Sequence, residues 1–103
     1  MDTVLVVDDD RLFLALVRDE LEKAGFSVLV SETALQARET LSQQAVQAII
    51  MDVVMPEIDG LELLPQFRQE YPKVPVIVVS GRASFLTGVQ AMRRGAVDFL
   101  RKP

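Results

Sequence analysis

The chain has 103 residues and a formal net charge of −4, with half of its residues hydrophobic and a quarter charged. This composition predicts one soluble domain, and an acidic domain is not expected to bind nucleic acid by itself. The absence of cysteine and histidine excludes disulfides, thiolate zinc sites and histidine-based acid–base catalysis. No apolar stretch is long enough for a signal peptide or a membrane span, so a cytoplasmic location is expected.

The first predicted strand, residues 3–7, is apolar and β-branched, and it ends at three consecutive aspartates, residues 8–10. The apolar residues that follow recur at helical spacing and predict the inner face of a first helix: Phe13, Leu16, Val17, Leu21 and Ala24. Gly25 has the position of a residue that ends a helix. The second strand, residues 27–30, is flanked by polar residues, which favours a place at the edge of a sheet.

Thr33 and Gln36 form a capping box that opens a second predicted helix, which runs to about Ser42. The third strand, residues 48–51, is a short apolar run, which is typical of a strand buried on both faces. It ends directly at Asp52.

Asp59 begins a third predicted helix that runs to about residue 70 and contains Pro65. Proline is tolerated in the first turn of a helix, and deeper inside it is expected to kink the helix. The fourth strand, residues 76–79, ends at Ser80. The fourth helix is predicted from an apolar stripe of Phe85, Leu86, Val89 and Met92, with Gly95 at its end. The fifth strand, residues 97–100, is followed by Lys102.

Strict alternation of strands and helices with short connections predicts a parallel α/β sheet covered by helices on both faces. In such a sheet, the carboxyl ends of all strands lie on one edge, which is where ligands bind. The aspartates 8–10, Asp52, Ser80 and Lys102 are therefore expected to meet.

This combination of side chains indicates a specific chemistry. Two carboxylates about 4 Å apart repel by about 4 kcal/mol at an effective dielectric constant near 20, and a divalent cation relieves that repulsion. Lys102 offers a positive charge to an arriving anion, and Ser80 offers a hydroxyl donor. A carboxylate nucleophile, Mg²⁺, a lysine and a hydroxyl are the components needed to form an aspartyl phosphate. Each of these residues alone is more often a turn residue, a cap or a surface charge, so the prediction depends on their convergence.

Over its whole length, the chain resembles the receiver domain of two-component response regulators. The matching features are Asp8 and Asp9, Asp52 followed by Met55-Pro56 and Asp59-Gly60, Ser80, Gly95-Ala96, Phe99, and Lys102-Pro103.

The resemblance implies a flavodoxin-like, doubly wound five-stranded sheet with strand order 2-1-3-4-5. It implies a signalling domain rather than an enzyme, although one with intrinsic self-phosphorylation and autodephosphorylation chemistry. Asp52 would accept a phosphoryl group from a sensor histidine kinase in a Mg²⁺-dependent step. Asp9 and Asp52 would be direct Mg²⁺ ligands, Asp8 would assist, and Val54 would contribute its backbone carbonyl.

The resemblance also implies a switch. Ser80 and Lys102 would contact the phosphoryl group, Phe99 would turn inward, and the surface of the fourth helix and fifth strand would change. That surface would control an output domain or downstream protein, and a homodimer on phosphorylation is a further implied partner. The Lys102–Pro103 peptide would be cis, and residues Val54 and Arg82 would tune the phosphoryl lifetime.

Two departures from the family pattern are expected to matter. The family's last helix would follow Pro103, so residues 1–103 are interpreted as a receiver domain truncated before that helix, within a longer regulator. The switch aromatic is Phe99, which lacks the hydroxyl of a tyrosine.

Three other interpretations compete with the phosphoacceptor module. A Mg²⁺-dependent phosphohydrolase with an aspartate nucleophile would need an acid at position 54, where Val54 stands. A degenerate receiver used only for protein contacts would have lost a metal or phosphate ligand. A flavin-binding protein would need a phosphate-binding loop after the first strand, where three acids would repel phosphate.

Overall fold

A computed structural model describes residues 2–81 and 85–103, so predictions for Arg82 and for the Phe85 side chain lie outside it. In this part of the chain, parallel strands alternate with helices. The elements are β1 Thr3–Val7, α1 Arg11–Lys23, β2 Ser27–Ser31, α2 Ala34–Gln43, β3 Ala48–Asp52, α3 Gly60–Glu70, β4 Val76–Ser80, α4 Phe85–Arg93 and β5 Asp98–Arg101. The sheet order β2-β1-β3-β4-β5 confirms the predicted flavodoxin-like topology. Among the helices described here, none has the length and apolarity to cross a membrane.

The side chains of β1 alternate between the two faces of the sheet, as strand geometry requires. Leu5 and Val7 belong to a large core that α2, α3 and α4 cover, whereas Val4 and Val6 pack with Leu14 of α1 on the opposite face. The apolar runs noted in the sequence are therefore central strands with a helix layer on each side.

The predicted inner faces of α1 and α4 are partly wrong. In α1, Leu14 is buried and Leu16 is exposed, while in α4 Ala91 is buried and Met92 is exposed. Successive helical residues differ in direction by only about 100°, so adjacent apolar residues compete for the inner face and periodicity alone does not choose between them.

The predicted helix ends are confirmed. The Thr33 hydroxyl accepts a hydrogen bond from the backbone of α2, and the Asp59 carboxylate caps α3 in the same way. Gly25 and Gly95 follow α1 and α4 with φ of 98° and 108°. Helix α3 runs through Pro65 as one continuous helix.

The flank of the sheet beside α1 and β5 is poorly covered. Strand β5 has no buried residue, and Leu100 is 48% exposed, as is Leu16 of α1. The strand also begins one residue later than predicted, at Asp98. Phe99 packs on the side of α4, so the alternation of the strand directs Leu100 toward the open flank.

Candidate functional site

The carboxyl ends of the strands meet at one edge of the sheet, as parallel topology predicts. They form an open cleft of about 390 Å³ at that edge. Its walls are Asp9, Asp10, Asp52, Val54, Pro56, Ser80, Gly81 and Lys102.

Three carboxylates form the acidic part of the site. Asp8, Asp9 and Asp52 each place one oxygen within 4.8 Å of the others. Asp8 is fully buried, Asp52 is 5% exposed, and Asp9 is open to solvent. Carboxylate oxygens at this spacing suit a hard divalent cation, and burial of two of the acids makes their mutual repulsion costly.

Lys102 provides the opposing charge. Its ammonium nitrogen lies 2.7 Å from Asp8 Oδ2 and 3.0 Å from Asp52 Oδ2, and it sits 4.5 Å from the centre of the Phe13 ring. Burial lowers the pKa of Lys102, but the contacts with Asp8 and Asp52 outweigh it, so this pKa lies above its ordinary value. Lys102 is therefore a permanent cation that touches both buried acids.

Burial is also the largest influence on the pKa of Asp8. It raises the pKa of Asp8 above 3.8, and the nearby Asp52 charge adds to the rise, although the Lys102 contact and the Asp10 N–H oppose it. A proton consequently competes for Asp8 at a higher pH than it does for a solvated aspartate.

Backbone donors fix the orientation of the two buried carboxylates. The Val54 N–H donates to Asp52 Oδ1 at 3.1 Å, and the Asp10 N–H donates to Asp8 Oδ1 at 3.0 Å. In both acids, the other oxygen faces Lys102. The Val54 side chain is half-exposed at the wall of the cleft.

Asp10 is not part of the carboxylate group formed by Asp8, Asp9 and Asp52. Its carboxylate accepts hydrogen bonds from the N–H groups of Leu12 and Phe13, so it is the N-cap of α1. The sequence carried this signal, because an aspartate directly before a helical stripe is typical of a cap.

Gly60 is a site residue whose role the sequence did not indicate. A Cβ atom there would lie 2.5 Å from both the Asp52 carbonyl oxygen and the Val53 Cα. Helix α3 therefore begins in contact with the end of β3, and only glycine permits that approach. Its N–H donates to the Val53 carbonyl at 2.8 Å.

The two predicted switch residues occupy different surroundings. Ser80 is buried at the end of β4 and forms part of the cleft wall. Phe99 is half-buried, and its ring lies over Gly88 of α4, 3.2 Å from the place of a Cβ atom.

The prediction of a cis Lys102–Pro103 peptide is wrong for this structure, in which the bond is trans. The trans form is favoured before proline by about 0.5–1 kcal/mol, and the Lys102 ammonium reaches both acids without the cis form.

The family model for the response regulator receiver domain matches residues 4–103 of the chain. A putative NtrX-like response regulator of Rickettsia felis is 38% identical over 102 residues, which cover 97% of this chain and 22% of that protein. The chain thus spans about a fifth of the length of that relative.

Solved structures give the same result. The solution structure of the beryllofluoride-activated NtrC4 receiver domain dimer has a TM-score of 0.93 and 33% identity, and the match covers all of this chain and 85% of the other. A Burkholderia pseudomallei response regulator, crystallised with a phosphorylated aspartic acid, calcium and citrate, has a TM-score of 0.92 and 28% identity. That match covers all of this chain and 61% of the other.

Proposed function

The chain belongs to the response regulator receiver family of two-component phosphorelays, and from this membership we propose that Asp52 is its phosphoacceptor. The observation that carries the proposal is the arrangement of one ammonium between two buried carboxylates, at the edge of an open cleft. Apolar residues of similar volume often stabilise a fold as well as a buried ion pair does, so fold stability alone does not account for this cluster.

The residues of the site fit a bound Mg²⁺ ion. Three carboxylate oxygens lie within 4.8 Å of one another, and oxygen ligands of this kind are those that Mg²⁺ prefers. We propose that Asp9 and Asp52 hold the ion directly, that Asp8 assists, and that the Val54 carbonyl completes the protein ligands. When bound, Mg²⁺ would neutralise charge on the phosphoryl oxygens and on the carboxylates together.

The transfer itself joins a carboxylate oxygen of Asp52 to the phosphorus atom. The bond from phosphorus to the donor breaks, and its electron pair leaves with the donor. The Val54 N–H holds one oxygen of Asp52 in place, and Lys102 lies close enough to contact a phosphoryl oxygen once the carboxylate is esterified. The donor proposed for this step is a sensor histidine kinase.

Esterification adds about two negative charges and three acceptor oxygens to the cleft. Ser80, buried in the wall of the cleft, would then donate its hydroxyl to the phosphoryl group. We propose that Phe99 turns inward as Ser80 moves, and that the surface of α4 and β5 changes with it. This surface would act on an output domain or downstream protein, and on a second copy of the chain.

A phosphohydrolase with an aspartate nucleophile is the alternative, and the cleft argues against it. That chemistry needs an acid or base two residues after the nucleophile, and Val54 presents only an apolar side chain there. The aspartyl phosphate formed would therefore persist longer than a catalytic intermediate, as a signal requires.

The open flank beside α1 and β5 supports a further proposal about the domain. Leu16 and Leu100 are each 48% exposed, and covering the exposed half of such a side chain contributes roughly 0.7–1.5 kcal/mol. We propose that residues 1–103 form a receiver domain whose flank is covered by a further helix of the same regulator.

The phosphoacceptor is tested with acetyl phosphate in the presence of Mg²⁺. Asp52→Asn should abolish covalent labelling, whereas Asp19→Asn, which removes an exposed acid of α1, should leave it unchanged. Equal labelling of Asp52→Asn and the wild type would refute the assignment. In a parallel titration, Asp9→Ala should bind Mg²⁺ much more weakly, and equal affinity would remove Asp9 from the metal site.

A further inference from the structure

One backbone carbonyl of helix α3 lacks the N–H donor that an α-helix normally supplies four residues later. Pro65 has no N–H group, so the carbonyl four residues earlier, that of Leu61, lacks its helical donor. A proline ring within a helix also crowds the carbonyl four residues earlier. The carbonyl lies at an exposed site, so water and polar side chains are the donors available to it.

A side chain from outside α3 donates a hydrogen bond to the Leu61 carbonyl. Arg94, directly after α4, donates from Nη1 to the Leu61 carbonyl oxygen at 2.6 Å. A charged donor makes a stronger hydrogen bond than a neutral one. We propose that Arg94 replaces the donor that Pro65 removes, and that it thereby anchors the carboxyl-terminal end of α4 to α3.

Neighbouring contacts hold the same end of α4. Ala91 and Ala96 are buried in the core. A Cβ atom on Gly95 would lie 2.9 Å from Arg68 of α3, and Arg68 in turn donates to the Val74 carbonyl at 2.6 Å. The end of α4 near Arg94 is therefore packed and hydrogen-bonded to α3.

In the described side chains of the amino-terminal half of α4, residues 86–90, none is buried. Leu86 is 65% exposed, and Gly88 contributes no side chain where the Phe99 ring approaches. Regions with few buried contacts open more readily than well-packed ones. The anchor thus makes α4 a lever with a fixed carboxyl-terminal end, and any rearrangement is greatest near Leu86.

A double-mutant cycle on the unphosphorylated chain tests the anchor. Arg94→Met should increase the unfolding equilibrium constant about fivefold, which is the size of one net hydrogen bond. The Pro65→Ala change restores a backbone N–H that can donate to the Leu61 carbonyl, so in that background Arg94→Met should change the constant less than about twofold. Pro65 and Arg94 are both exposed, so neither change opens a cavity, and the cycle cancels the effect of proline on the unfolded chain.

Arg93→Met is the matched control, because Arg93 is an exposed arginine at the last position of α4, with no side-chain hydrogen bond or ion pair among the described residues. If Arg94→Met and Arg93→Met have equal effects, or if the two changes in the cycle are simply additive, the Arg94 contact is adventitious and the proposal fails. A second measurement follows the Ala96 amide, which bonds to the Ala91 carbonyl. Its hydrogen exchange should accelerate in Arg94→Met, and Pro65→Ala should not restore it, because α4 stays detached.

The lever itself depends on the proposed phosphoacceptor function. With Mg²⁺ and beryllofluoride, backbone resonances of Leu86 and Val89 should move more than those of Ala91 and Met92. Equal movement at both ends would refute the lever. No movement at either end would instead count against the phosphoacceptor site, and the double-mutant cycle would still decide whether the anchor exists.

Discussion

Replacing Lys102 by methionine tests whether the site is held together by a single charge. The variant keeps a side chain of similar length and removes the ammonium that contacts Asp8 and Asp52. Two carboxylates within 4.8 Å then face each other without compensation, and at an effective dielectric constant near 20 they repel by about 3 kcal/mol. Removing one partner of a buried pair has a typical cost of about 3–5 kcal/mol, which agrees with this value.

The loss should depend on magnesium. In EDTA near neutral pH, urea unfolding followed by circular dichroism should show a free energy of unfolding about 3 kcal/mol below the wild type. In excess MgCl₂, the deficit should shrink by at least about 1 kcal/mol, because an ion held by the acids would supply positive charge and no ammonium would compete with it. Lys73→Met removes an exposed lysine and serves as the control, with an expected change below about 0.5 kcal/mol.

Two outcomes would refute this reasoning. If Mg²⁺ stabilises Lys102→Met and the wild type equally, the ion does not share the charge-compensating position with Lys102. If Lys102→Met is no less stable than Lys73→Met in EDTA, the buried acids do not repel as calculated.

Two further predictions concern the acids and the loop that positions them. Gly60→Ala places a Cβ atom 2.5 Å from the backbone of Asp52 and Val53. We therefore expect the free energy of unfolding in urea to fall by about 1–3 kcal/mol and labelling by acetyl phosphate to become slower. Wild-type values of both would show that the loop shifts freely. Burial raises the pKa of Asp8 above 3.8, so acidification protonates Asp8 early and should weaken Mg²⁺ binding in isothermal titration calorimetry. In Asp8→Asn the decline should begin at a lower pH, and identical pH profiles would exclude Asp8 from the metal site.

Much of the fold could be predicted because several independent signals agreed. The apolar runs that end at Asp52 and Ser80 are too short for helices, and the caps at Thr33 and Asp59 mark where helices begin. Strict alternation then left few topologies, and the parallel sheet brought distant strand ends to one edge. The convergence of the charged residues follows from topology rather than from any local motif.

The features that could not be predicted depend on close contacts between elements. The need for Gly60 arises from the approach of α3 to the end of β3, and nothing in the residues around position 60 encodes that distance. The donor that replaces the missing N–H of Pro65 comes from Arg94, far along the chain, and only the packing of α4 against α3 brings it there.

The charge balance of the cleft supports the proposed switch, in which one ion and one hydroxyl act together. Three carboxylates and one ammonium leave a formal charge of −2 at the site, which a single Mg²⁺ ion would neutralise. Esterification of Asp52 replaces one negative charge by about two, so the loaded cleft returns to an excess of about one negative charge. No free cation remains in the described walls of the cleft to balance it, because Lys102 is already engaged with both acids. On the proposed function, a neutral donor that moves inward would stabilise this charge, and Ser80 lies in the wall of the cleft. In the proposed switch, this charge would draw Ser80 inward, and Phe99 and α4 would respond to the space that Ser80 leaves.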